Sequence, residues 1–163
     1  MRNLQLIVFS LLLGFSSLMA GQIAFAGGSP PSETSFSVDL PADFFKPGAC
    51  AFPINLTVSG KSGTIELPGN RFIFTSPRLR AIVTNLDDPS NTVTLKVPGA
   101  FHQRIEENGD IVTVVTGRNL LGDPEAGFVV AIGTFSFIFD SNGTLIQPLT
   151  GTGKLIDVCD LID

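Results

Sequence analysis

From Ala51 onward, apolar and polar residues alternate, and turn signals containing Gly, Pro or Asn interrupt them roughly every 8 to 12 residues. Successive side chains of a strand point to opposite faces, so this period of two describes strands with one face in a core. Phe52, Ile54, Leu56 and Val58 alternate with Pro53, Asn55, Thr57 and Ser59. A turn at 60–63 and a returning strand at 64–67 are expected next, then a turn at 68–70. Strands follow at 71–75 and 78–86, a Pro- and Asp-rich loop at 87–91, and a strand at 92–97. Residues 100–107 and 110–116 flank Asn108-Gly109, a dipeptide that accepts the positive φ of a type I′ hairpin turn. Residues 127–132 and 134–140 meet at Gly133, a bend or bulge. Residues 144–149 and 154–159 complete the set, after a turn at Ser141-Asn142-Gly143. Upstream, 34–40 reads as a short strand, and 43–48 as a helical turn or a loop held by Phe44 and Phe45.

No stretch after residue 26 keeps a helical period, and no repeat of fixed length stands out. The expected fold is therefore all-β: a single antiparallel β-barrel of about nine to eleven short strands, with a β-sandwich as the alternative. Hairpin connections favour a meander, and closing a meander removes its edges. Cys50 and Cys159 stand at the two ends of the strand region. First and last strands of a closed meander are neighbours, so a disulfide between them is expected. There is no C-x-x-C to suggest redox catalysis.

The N-terminus indicates the compartment. Arg2 precedes a nearly apolar run, residues 4–18, and Ala24-Phe25-Ala26 forms a small-residue cleavage signal. That is the layout of a secretory signal peptide. The expected organisation is a signal peptide at 1–26, a flexible Gly/Pro/Ser linker at 27–33 and one β domain at 34–163. Cleavage after Ala20 and a retained membrane anchor are the alternatives. The implied location is secreted, extracellular or periplasmic, an oxidising setting that suits a disulfide.

Without residues 1–26 the chain has nine Lys and Arg against fifteen Asp and Glu, a net charge of −6. Such a surface repels phosphate backbones and anionic lipid, which disfavours nucleic acid and membrane as partners. No stable membrane insertion is expected once the signal is removed. Fourteen Phe stand against no Trp and no Tyr, so the aromatic inventory fills cores without supplying polar handles.

Few residues suggest chemistry. His102 is the only histidine, and strand alternation places it with Arg104 and Glu106 on one face. Those three are weak candidates for general acid–base work; the alternative is a polar outer face. One histidine cannot build a multi-His zinc site, and no EF-hand spacing occurs, so neither a metal nor a cofactor is expected. Arg78 and Arg80 share a strand face, with Arg71 read as lying in the neighbouring strand. They hold a carboxylate if they point inward and form a solvated face if they point outward. Phe135, Phe137 and Phe139 alternate on one strand, with Phe128 in the strand before, as the lining of an apolar cavity or as plain core. The stretch 117–127 reads as a long loop suited to interaction, or as a plug. Asn55 and Asn142 stand in glycosylation sequons.

The runs TVVTGRNLL at 113–121, FIFDSNG at 137–143 and LIDVC at 155–159 resemble small secreted bacterial all-β proteins of actinobacterial type and of uncharacterised function. The resemblance extends from Cys50 over most of the remaining chain and implies no activity, ligand or catalytic residue. The expected function is a secreted, disulfide-tied β-barrel binding a small apolar or amphipathic ligand through Phe128, Phe135, Phe137, Phe139, Arg78 and Arg80. The alternatives are an extracellular protein-interaction or structural module and a cyclase- or isomerase-like barrel enzyme. The partner is thus an unknown small molecule or an extracellular protein.

Overall fold

The computed structural model describes residues 27–28 and 30–163; the segment expected to be a signal peptide, 1–26, lies outside the described residues. The fold is all-β. Its strands are β1 (Gly27–Gly28), β2 (Ser32–Leu40), β3 (Ile54–Leu67), β4 (Arg71–Thr75), β5 (Arg80–Asn85), β6 (Thr92–Lys96), β7 (Gly99–Ile105), β8 (Ile111–Asp123), β9 (Gly127–Phe139) and β10 (Leu145–Asp157), followed by a 3₁₀ turn at Cys159–Leu161. All pairings are antiparallel, in the order β10-β9-β8-β7-β4-β3-β5-β6, with β1 and β2 also on β3. The ladder does not close into the expected barrel: β10 and β6 are its two ends.

Strand β3 is the hub. Its first part pairs with β2 on one side and β5 on the other, through Ile54 to Ser59. Its last part, Gly63 to Leu67, pairs instead with β4, with β1 opposite Ile65 and Glu66. The Gly60–Gly63 stretch is therefore not the expected turn. It lies inside one strand of 14 residues that passes from one set of partners to another. The expected linker at 27–33 likewise contains β1 and the start of β2.

Strands β8, β9 and β10 repeat this theme. Each has 13 residues, where shorter strands and loops were expected. Their registers align Gly99, Gly117, Gly133 and Gly153 in one row across β7 to β10. Gly133 has φ +136°, and a Cβ there would collide with the Thr152 carbonyl oxygen. Only glycine serves at such a point, where a strand kinks against its neighbour's backbone.

Two apolar clusters fill the molecule. In the first, Ile54, Leu56 and Val58 of β3, Ala81 and Val83 of β5 and Leu95 of β6 pack with Phe128 and Val130 of β9. In the second, Val115 and Leu121 of β8 pack with Val129, Ala131, Phe135 and Phe137 of β9. The alternating residues of β9 thus supply both, and Gly127 to Ala131 are all buried. The 41–53 segment covers one end of the first cluster. Phe45 stacks on Phe128 with ring centroids 4.4 Å apart, and Lys46 Nζ donates to the Glu125 carbonyl at 2.7 Å. The Cys50–Cys159 disulfide fastens this segment to the end of β10, both cysteines being buried.

Three outcomes follow from this construction. Gly133→Ala is expected to lose on the order of 3 kcal/mol in urea unfolding, because strain and backbone collision add. Replacing Cys50 and Cys159 together with Ala is expected to lose about 3 to 5 kcal/mol, since the bridge closes a very long loop. Thiol labelling of the native protein should find neither cysteine reactive.

Candidate functional site

Arg80 and Arg78 head the candidate site. Arg80 opens β5 and stands directly opposite Ser59 of β3 and Lys96 of β6. Arg78 lies in the β4–β5 connection, a turn, and not on the strand face it was expected to share with Arg80. Ser76 holds that connection: its backbone N–H and its hydroxyl both donate to the Gly99 carbonyl, at 3.1 and 2.9 Å. Pro77, Arg78, Leu79, Arg80, Lys96 and Pro98 line an open groove of about 300 Å³ there. Arg78, Arg80 and Lys96 are exposed. Arg71, expected beside them, instead pairs with Arg104 across β4 and β7. Lys96 takes its place, a residue that sequence alternation gave no reason to group with the arginines.

Among the described residues, the ion pairs are Lys61–Glu33 and Arg104–Glu106. Arg78, Arg80 and Lys96 have no carboxylate partner there, in a chain where acids outnumber bases. Like charges directly opposite on a sheet destabilise it. Arg71 and Arg104 are also opposed, but Glu106 compensates Arg104 and the Pro68 carbonyl accepts from Arg71 Nε at 3.0 Å. Nothing comparable compensates Arg80 and Lys96.

The acid–base candidates do not form a cleft. His102 and Arg104 are exposed on β7, and Glu106 follows its end. His102 Nε2 lies 3.4 Å from the Thr116 hydroxyl, at the long limit of a hydrogen bond. The Arg104–Glu106 pair is solvent-exposed on both sides. No cluster of three His, Cys, Asp or Glu able to hold a metal occurs among the described residues.

The phenylalanines separate. Phe128 belongs to the first cluster, whereas Phe135, Phe137 and Phe139 belong to the second, on the opposite face of one strand. They do not line one common cavity, because β9 runs unbroken through Gly133 and keeps odd and even residues apart. The cleft bordered by Leu121, Phe137, Phe139, Leu145 and Leu149 holds about 20 Å³, room for a single water. Phe74, Phe101, Val115 and Phe135 are consecutive in register across four strands, so the aromatic stripe continues beyond β9.

The expected loop at 117–127 is mostly strand. Strand β8 continues to Asp123, whose Oδ1 accepts from the backbone N–H groups of Glu125 and Ala126 at 2.8 and 2.6 Å and forms a tight turn. Asn119 Nδ2 donates to the Thr116 carbonyl at 3.0 Å, and its Oδ1 occupies the space a Cβ on Gly99 would take. Arg118 Nε is buried without a hydrogen bond. Two turn aspartates titrate below the ordinary range. Hydrogen bonds from the Ser90 side chain, then its backbone, lower Asp88, and the Thr144 backbone N–H is the main cause at Asp140. Both therefore stay ionised as turn caps through mildly acidic conditions.

The chain matches no family model, no curated protein and no solved structure. No helix among the described residues is long and apolar enough to cross a membrane.

His102→Gln is expected to change unfolding free energy by less than about 0.5 kcal/mol between pH 5 and 8, because the ring is exposed and makes one weak contact. Chemical denaturation across that pH range checks it.

Proposed function

We propose that the protein is an extracellular, disulfide-tied binding module that meets its partner at its surface rather than in an internal cavity. The observation that carries this reading is the packing of β9. Phe128, Phe135 and Phe137 are 2%, 6% and 5% exposed, and side chains from both faces of the strand occupy the space a ligand would need. The rigid two-cluster body then serves as a scaffold, and its exposed edges and groove are the recognition elements.

Secretion by cleavage of residues 1–26 belongs to the same proposal. It is supported by the signal-like N-terminus and by the buried Cys50–Cys159 bridge, which an oxidising compartment forms and maintains. Kinship with small secreted actinobacterial-type proteins is part of it as well, resting on the three sequence runs quoted above. His102 and Arg104 are exposed and Glu106 is half-exposed, which gives catalysis no enclosed site, so binding is the better-supported role.

Native mass spectrometry of protein secreted by its own host tests the reading. The expected spectrum shows the chain without residues 1–26, two hydrogens lighter for the disulfide, and no lipid-like adduct. A retained apolar molecule at one per chain would contradict surface binding and restore an internal site.

A further inference from the structure

We infer that the Arg78–Arg80–Lys96 groove is a binding site for an oxyanion ligand carrying at least two negative charges, a polycarboxylate or a phosphate ester of about the size of a sugar. The inference rests on the surface-binding reading and names the ligand class.

Two features of the groove support it. The first is charge placement. Arg80 and Lys96 are directly opposed across β5 and β6, Arg78 stands two residues away, and no carboxylate among the described residues pairs with any of them. An anion between the side chains turns a repulsive pair into two charge-assisted hydrogen-bonding arms, one of them a guanidinium fork that matches carboxylate or phosphate geometry.

The second feature is rigidity. The groove walls include Pro77 and Pro98, whose φ angles are fixed, and the two connections are bound together through Ser76 and the Gly99 carbonyl. Leu79, also in the wall, packs against the first apolar cluster. The cationic side chains therefore project from a preorganised base, and binding orders little besides the side chains themselves. The volume of about 300 Å³ is at the small end of ligand sites.

The probes are citrate, pyrophosphate and, as a control, sodium chloride at matched ionic strength, titrated by calorimetry and by amide chemical shifts. The expected result is saturable binding of one citrate or one pyrophosphate per chain, with shifts centred on residues 77–80 and 96–98. Preference for citrate identifies a carboxylate ligand, and preference for pyrophosphate a phosphate ester. Arg80→Gln should weaken binding about tenfold, and Lys61→Gln, outside the groove, should leave it unchanged. Lys96→Gln should raise the unfolding temperature in anion-free buffer by removing repulsion, and should lose most of the upward shift that citrate gives the parent protein. Equal response of parent and Arg80→Gln, or a response that sodium chloride reproduces, overturns the inference. That failure leaves surface binding standing; a lipid-like adduct in the native spectrum would end surface binding without touching the citrate result.

Discussion

The row of glycines across β7 to β10 is the constraint on which the rest of the structure depends. Gly99, Gly117, Gly133 and Gly153 are consecutive in register, and at Gly133 and Gly153 a Cβ would run into the backbone of the adjacent strand. The row lets three long strands pass through one irregular line without losing their pairing. Side chains of β9 before and after that line join the second cluster, while its other face before the line builds the first. One continuous sheet thus makes two cores, and the strand between them is buried on both sides from Gly127 to Ala131.

Such a sheet has free ends, and covalent and polar ties hold the far end together where the hydrogen-bonded ladder does not. The disulfide joins the segment before β3 to the end of β10. Buried Asn85 adds a second tie: its Nδ2 donates to the Ile162 carbonyl at 3.0 Å, and its Oδ1 accepts from the Asp87 and Asp88 backbone. Phe45 on Phe128 completes the closure with apolar contact. Val158, Cys159 and Ile162 are consequently part of the core, with Ile162 1% exposed.

The strand class, the hairpin at Asn108-Gly109 and the cysteine tie are legible in the sequence, because alternation, turn chemistry and end placement are local or nearly local signals. The turn is not the expected type I′, since Gly109 takes a positive φ and Asn108 does not. The sequence misplaced the ends of the long strands for one physical reason. Glycine marks both a turn and a kink inside a strand: Gly60 and Gly117 read as turn or loop positions yet lie inside strands, whereas Gly133, read as a bend or bulge, is a kink within β9. The assignment of 117–127 to a loop failed the same way. Of the candidate site, Arg78 and Arg80 were legible as a pair, but Lys96 was not. It joins them only through the β5–β6 register, which no local pattern encodes. The separation of Phe128 from Phe135, Phe137 and Phe139 required knowing that β9 is unbroken, since parity along one strand decides which core each ring enters.

A filled interior and an uncompensated cationic groove are the two observations that support the proposal of recognition outside the fold. Their common premise is that neither apolar cluster has room for a guest. A crystal structure determined under xenon pressure tests it directly, because xenon occupies dry apolar cavities. Two closed clusters predict no ordered xenon beside Phe128 or among Phe135, Phe137 and Phe139. A well-occupied xenon site within either cluster would contradict it and return the phenylalanines to the role of a ligand cavity.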